Sequence, residues 1–406
     1  MIKNLILLIL LVAFIALNKA KAQFKIVGYV PNWISLTTFS DNFDFSRVTH
    51  LNLAFKDPNS AGDLPALSSG EVYLINAAHN NGVKVLLSLC GGSSSENSSK
   101  RAIYFNLINS TNLNGFASKL KQYTVNNNLD GLDLDLEGPA INSNYDNFVQ
   151  VLADSLHPVG KLVTSALSEG YGGGNVPAGT FAYFDWINIM AYDACGPTWG
   201  TPGQHSSYSM AVNALNYWKG RGLAQSKAIL GLPFYGYEFG SVTAKNYGVS
   251  YNFIASNYPS TITEDEASSG GGNTIYYNGI STIIDKTSLA LTSGGGVMIW
   301  ELSLDASGTN SLLKQIRAVA GSAVTATTES NGEEKLTVYP NPSNGLLNIA
   351  GIDLQGAKIN LITALGEKSE IISSTNSLDL REYPKGIYYL HIVKEEKTTL
   401  RKIVLQ

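Results

Sequence analysis

The sequence predicts an α/β chain, an eight-stranded (β/α)8 TIM barrel followed by a small all-β sandwich. Three observations predict it. Eight apolar, β-rich runs alternate with helix-compatible segments between residues 24 and 320. Acids and aromatics that a buried strand has no packing reason to carry gather at the C-terminal ends of those runs, which in such barrels form one mouth. Beyond residue 336 the helical period stops, and short alternating segments such as "KLTVYPNP", "GLLNIAG" and "GIYYLHIV" are divided by Gly, Asn, Pro and Ser.

In chain order, residues 1–22 read as an export leader. Lys3 supplies a positive start, "LILLILLVAFIAL" an apolar stretch too short to cross a bilayer, and Ala20-Lys21-Ala22 a cleavage site. The catalytic-size domain then occupies 23–320. Its strand runs are "FKIVGYV" (24–30), "VTHLNLAF" (48–55), "VKVLLSL" (83–89), "LDGLDLDLE" (129–137), "KLVTSAL" (161–167), "DWINIMAYD" (185–193), "KAILGLPF" (227–234) and "GGVMIWEL" (295–302). No G-x-G-x-x-G turn follows the first run, which disfavours a doubly wound nucleotide-binding sheet. A small, polar, aperiodic stretch at 321–335 reads as a linker, and 336–406 as the sandwich. Between the seventh and eighth strands, little room is left once the final helix is counted, so no α+β module is expected there and the mouth is expected to be an open groove.

The fourth run poses the chemical question. Side chains alternate faces along a strand, so Leu132, Leu134 and Leu136 share one side while Asp133, Asp135 and Glu137 share the other. A solvated acidic face is the ordinary explanation for such alternation. With no cation interleaved, however, each carboxylate raises the pKa of the next. A divalent metal or a proton-handling acid row would account for that. The motif lacks the Asn, carbonyl or His partners of a metal site, which leaves the acid row and no metal or cofactor. Asp130 points the other way and reads as a structural brace.

Composition narrows the partners. A net charge of −4 with no Lys/Arg cluster argues against nucleic acid, and no later segment could span a membrane. The 21 Tyr, 14 Phe and 5 Trp suit sugar-stacking surfaces as well as a core. Cys90 and Cys195 end strands that lie across the barrel from one another, too far for a disulfide, so two free thiols and a monomer are expected.

"DGLDLDLE" is similar to the D-G-x-D-x-D-x-E signature of family 18 glycoside hydrolases, the chitinases and endo-β-N-acetylglucosaminidases. "GYVPNW", "LNLAF", "KVLLSLCGG", "MAYD", "KAILGLPFYG" and "GGVMIWEL" follow the family's order over about 300 residues. Two departures stand out. Cys90 replaces the first Gly of the family's S-x-G-G, and Leu136 stands where many chitinases carry Trp. The tail, with "VYPNPSNG", "KGIYYLHI" and "KIVLQ", resembles the C-terminal sorting domain of type IX secretion cargo. That resemblance implies export through the periplasm to the cell surface or medium and contact with secretion machinery.

The resemblance to family 18 implies a substrate-assisted, retaining mechanism on chitin or another N-acetylglucosamine oligosaccharide. It assigns Glu137 as general acid and base, Asp135 as orienter of the acetamido group, Asp133 as its buried partner and Tyr192 as donor to the acetamido oxygen. Asp193 would contact the sugar beside the scissile bond and Trp300 would be the floor beneath the distorted sugar. Met190 fits packing better than chemistry; Tyr29 and Phe55 fit core packing and sugar contact equally. Trp33 and Trp199, in loops on the same face, suit more distant sugars. The resemblance also implies cis peptides at Ala54-Phe55 and Trp300-Glu301. An endo-β-N-acetylglucosaminidase of N-glycans and a non-catalytic chitin-binding lectin are the alternatives, and endo-type cutting follows from the open groove.

Overall fold

The computed structural model describes residues 24–240, 248–325, 336–351, 354–363, 368–371, 373, 375–394 and 397–406. The leader expected over 1–22 and most of the expected linker lie outside the described residues. Eight parallel strands close a barrel: β1 (Lys25–Pro31), β2 (His50–Lys56), β3 (Lys84–Cys90), β4 (Gly131–Asp135), β5 (Leu162–Leu167), β6 (Trp186–Ile189), β7 (Ala228–Pro233) and β8 (Gly296–Trp300), with β8 pairing back onto β1. Helices between the strands cover the outside. The first of the long ones, Ser69–Asn80, begins with a reciprocal cap between Ser68 and Glu71. Glu71 also pairs, buried, with Lys56 at the end of β2, which ties that helix to the barrel rim.

Strand alternation divides the interior into two cores. Leu132, Leu134 and Leu136 are fully buried in the layer between strands and helices, among Phe116, Phe148 and Leu152. The inner faces of the strands meet in a second cluster with Val27, Tyr29, Ala54, Leu86, Trp186 and Met298. Asp133 and Asp135 belong to that inner face, so β4 carries its acids into the barrel axis rather than towards water.

Several runs are shorter as strands than their apolar pattern, and the early ends of two of them shape the mouth. Pairing of β4 stops at Asp135 and pairing of β6 at Ile189, so Glu137, Tyr192 and Asp193 lie just past the ladders, where the chain turns over the mouth. Cis peptides occur at Ala54-Phe55 and Trp300-Glu301, the two positions expected.

The expectation of no α+β module between β7 and β8 is corrected. Among the described residues, Tyr235–Phe239, Val249–Ser250, Glu266–Gly270 and Asn273–Tyr276 form a four-stranded antiparallel sheet, accompanied by the helix Tyr251–Asn257. Strands of two to five residues with Gly-rich turns leave no periodic signal long enough to read. The final barrel helix, Leu312–Thr325, runs into the segment expected to be linker.

From residue 336 onward the described strands form a three-stranded and a four-stranded antiparallel sheet. Leu347 and Ile349 of the first share one core with Ile359, Leu361, Leu390 and Ile403 of the second, as in a sandwich.

Asp130 sits below the acid row and turns away from it. It accepts the Val85 N–H at 2.7 Å and pairs with His79 Nε2 at 2.8 Å, joining β3, β4 and a helix. Asp130→Ala removes a charge-assisted acceptor from a backbone N–H and is expected to lower stability by about 1–3 kcal/mol. Thermal melting and turnover measured on the same preparation check this, and turnover of the folded variant should match the parent.

Candidate active site

The deepest acid is held by the whole barrel. Asp133 is fully buried and accepts from Tyr29 Oη (2.6 Å) and Ser88 Oγ (2.7 Å) on one oxygen, and from Thr164 Oγ1 (2.6 Å) and Asn188 Nδ2 (3.2 Å) on the other. These donors come from β1, β3, β5 and β6. Burial raises the Asp133 pKa above the ordinary carboxylate value, and the four donors, led by Thr164, offset part of that rise. Four donors with no competing acceptor favour the ionised form.

Asp135 has the opposite surroundings. It is buried, its Oδ1 has no hydrogen-bond partner, and burial together with the Glu137 and Asp133 charges raises its pKa well above the ordinary value. An orphaned buried oxygen is costly unless something else supplies a partner. Asp135 lines a cavity of about 640 Å³ at the mouth, so a ligand's N–H could be that partner.

Glu137 lines the same cavity. Burial first, then the charges of Asp193 and Glu96, push its carboxyl from 4.5 up to about 7. Its backbone N–H is fixed by Ser95 Oγ at 2.9 Å. A side chain at Gly92 would place a Cβ 3.1 Å from Glu137 Oε1, so glycine there leaves the carboxyl its space. A carboxyl that titrates near neutrality can both give and take a proton.

Aromatic rings line the other side of the cavity. Trp300 stacks on Phe55 (5.6 Å between centroids, 23°) and meets Tyr29 edge-on at 5.3 Å. Trp33, 64% exposed, leans on Phe55 at 6.4 Å. Tyr192 also reaches the cavity; burial and then the Asp135 charge raise its phenol well above the ordinary value, so it keeps its proton.

Asp193 takes a left-handed backbone conformation, φ 63°, which costs a non-glycine residue energy unless neighbours enforce it. Three groups do so. Tyr235 and Tyr237, on one face of the insertion's first strand, donate to its Oδ1 at 2.6 and 3.0 Å. His205, fully buried, accepts the Asp193 N–H on Nδ1 at 3.4 Å and donates from Nε2 to the Tyr235 carbonyl at 3.2 Å. Neither tyrosine lines the cavity, so the module braces Asp193 from behind.

The structure therefore brings Asp135, Glu137, Tyr192, Asp193, Trp300, Tyr29, Phe55, Met190 and Trp33 to one cavity, with Asp133 directly beneath. Tyr29 lines the cavity, and its hydroxyl donates to Asp133 and so braces the acid row. Trp199 does not line the cavity; its indole donates to the Asp193 carbonyl at 3.2 Å and its ring packs against Tyr237. Thr164, Asn188, Ser95, Tyr235, Tyr237 and His205 were not legible as site residues. Only the two-residue spacing of Tyr235 and Tyr237 carried a hint that they share a face.

Cys90 and Cys195 are both free and buried. Cys90, at the mouth, has φ 78° where a glycine would be at ease, and its Sγ lies 3.3 Å from Ser95 Oγ. Burial pushes its thiol up to about 12, leaving it a neutral packing group. Among the described residues, no group of three or more His, Cys, Asp and Glu is arranged to hold a metal ion.

Comparison with known proteins adds to this geometry. The family described as Glycosyl hydrolases family 18 matches residues 25–305, and the Secretion system C-terminal sorting domain matches 337–406. A class V chitinase of Arabidopsis thaliana is 28% identical over 381 residues, covering 81% of this chain and 98% of its own length. The crystal structure of a family 18 chitinase from the chitin utilization locus of Flavobacterium johnsoniae has a TM-score of 0.65 at 31% identity, covering 74% of this chain and 94% of that one. A chitinase-like agglutinin of Robinia pseudoacacia has a TM-score of 0.61 at 21% identity, covering 73% and 99%, a likeness of fold alone.

The raised Glu137 pKa has a stability consequence. An unfolded chain releases this proton near 4.5 and the folded chain near 7, so the stability linked to the protonated form is complete below about 4.5 and is lost as pH rises through about 7. Melting temperatures across that window should fall more steeply for the parent than for Glu137→Gln. Parallel profiles would show that Glu137 titrates normally.

Proposed function

Because the chain belongs to family 18 of the glycosyl hydrolases, we propose that it is an exported, retaining hydrolase of β-1,4-linked N-acetylglucosamine chains such as chitin. The observation that carries this reading is the pairing of a carboxyl poised near pH 7 with a buried, unpartnered Asp135 oxygen in one aromatic-floored cavity. The sugar to be cleaved lies on Trp300. Its acetamido N–H meets Asp135 and its acetamido oxygen meets the Tyr192 hydroxyl, which turns that oxygen towards the anomeric carbon.

Glu137 gives its proton to the glycosidic oxygen as the bond from that oxygen to the anomeric carbon breaks. The acetamido oxygen forms the new bond to that carbon, and the leaving chain departs as an alcohol. The cationic ring that results is stabilised by negative charge from the Asp133–Asp135 pair. Water then attacks the anomeric carbon, passes a proton to Glu137 and reopens the ring, so the product keeps the β configuration. Asp193, anchored through Oδ1, leaves its other oxygen for the sugar beyond the scissile bond.

Chitin is favoured over an N-glycan core because the Arabidopsis and Flavobacterium relatives are chitinases. The fold likeness to an agglutinin leaves catalysis to the side chains, and the acid, its orienter and the tyrosine are all present. Cutting within chains is supported by the cavity lining, which among the described residues includes none from the insertion. We assign catalysis to 23–320 and sorting to 336–406; the sorting domain indicates export.

Glu137→Gln should lower turnover on chitin oligosaccharides by about 10²–10⁴ while retaining oligomer binding, and Asp135→Asn should lower turnover and move the pH optimum. Mass analysis of products from chitohexaose and, in parallel, a high-mannose glycoprotein checks both the residues and the substrate. Near-parental turnover by Glu137→Gln on either substrate would contradict the assignment.

Deleting 336–406 should leave the purified barrel's turnover unchanged and stop export in the native host. Lost turnover in the purified truncation would place the tail in the substrate site.

A further inference from the structure

Lys286 is a buried cation that the acid row, the aromatic floor and the tyrosines behind Asp193 leave unexplained. It sits on the helix Ile280–Ser293, which runs between the insertion and β8, and it is fully buried. Its Nζ donates to three neutral oxygens, the Ser206 carbonyl (2.6 Å), Ser206 Oγ (2.7 Å) and Asn278 Oδ1 (2.7 Å). A protonated lysine has three N–H donors, and here each finds an acceptor. Asn278 Nδ2 donates to the same Ser206 carbonyl at 2.8 Å. Burial lowers the Lys286 pKa to about 7, with the Asp265 charge opposing. Burying an ammonium among neutral partners is costly, and the segment it ties down is one that reaches the mouth.

Ser206 passes this grip on. Its Oγ donates to the Ala191 carbonyl at 2.7 Å. The preceding His205 accepts the Asp193 N–H on Nδ1 and the Ala194 N–H on its carbonyl, the latter at 3.0 Å. The dipeptide His205-Ser206 therefore clamps Ala191, Asp193 and Ala194, which flank the backbone of Tyr192 and the left-handed turn at Asp193. Lys286 and Asn278 in turn clamp the dipeptide. A chain of hydrogen bonds thus runs from an outer helix to two residues that line the cavity.

We propose that Lys286 is a positioning residue: through Ser206 it holds the Ala191–Ala194 turn so that Tyr192 and Asp193 face Glu137 and the sugar being cleaved. Its effect on turnover rests on the hydrolase reading above, but it also has a signature that needs no turnover. Asp193 is the leading charge that raises the Glu137 carboxyl, ahead of Glu96. A slack turn takes Asp193 away from Glu137 and lowers the Glu137 midpoint. Loss of the Lys286 charge by itself acts the other way, since a departing cation raises carboxyl pKa values. The direction of the shift therefore separates positioning from charge.

The test compares Lys286→Met and Ser206→Ala with the parent and with Thr287→Val, a buried change on the same helix whose lost hydroxyl bonds back to the Ile283 carbonyl. Carboxyl carbon NMR should show the Glu137 midpoint lower by roughly half a pH unit or more in Lys286→Met and Ser206→Ala, and unmoved in Thr287→Val. On chitohexaose, kcat should fall roughly tenfold in the first two with a smaller change in KM, and the alkaline limb of the kcat/KM profile should move with the midpoint. Where Lys286→Met does not fold, Lys286→Gln takes its place in the same comparison. An unmoved or raised Glu137 midpoint in the folded Lys286 variant or in Ser206→Ala, or an equal fall in Thr287→Val, would overturn the proposal. If the parent cleaves neither chitohexaose nor a glycoprotein, the hydrolase reading fails by itself, and the midpoints still decide whether Lys286 holds the turn.

Discussion

Three carboxyl groups on one face of one strand cannot all be charged where the barrel encloses them, and the rest of the site follows from how that conflict is settled. The three acids have unlike surroundings. Asp133 has four donors, Asp135 has an oxygen with none, and Glu137 reaches the cavity beside other acids. Such an arrangement places negative charge at the bottom and a proton above it, with the outermost group close to neutrality. Coupled acids of this kind act as one titrating unit in which protonating any member eases the charging of its neighbours.

The barrel is what makes this possible. No single loop could bring Tyr29, Ser88, Thr164 and Asn188 to the two oxygens of Asp133, whereas inward-facing positions of β1, β3, β5 and β6 do so by closure of the sheet. The same inner face carries Trp186, whose indole N–H donates to Asn188 Oδ1 at 3.1 Å and so aims the amide nitrogen at Asp133. Packing of Leu132, Leu134 and Leu136 against the helices fixes the register of β4, and a slip by one residue would turn the acids outwards. The stability of the outer core and the electrostatics of the mouth are therefore set by alternate residues of one strand.

The barrel and the acid row at its mouth were legible because they rest on long, regular signals. Eight apolar runs define the barrel, and alternation in "LDGLDLDLE" separates leucines from acids by the period of two. What escaped rests on closure or on short elements. Thr164 and Asn188 look like ordinary strand residues until the sheet is rolled up. Tyr235 and Tyr237 lie on a strand of five residues whose partners are four or fewer residues long, so neither the module nor its grip on Asp193 had a visible period. The setting of Trp199 was hidden for a related reason: a loop position shows on which end of the barrel a ring lies, not which way it turns.

On this arrangement the acid row stores a proton at neutral pH and exposes it through Glu137. Carboxyl carbon NMR of the folded chain, with Glu137 and Asp135 assigned by substitution, measures this directly. Glu137 should titrate with a midpoint of about 7, coupled to Asp135, which should stay protonated well above the ordinary carboxylate range. A Glu137 midpoint near 4.5, with Asp135 already ionised at that pH, would contradict it.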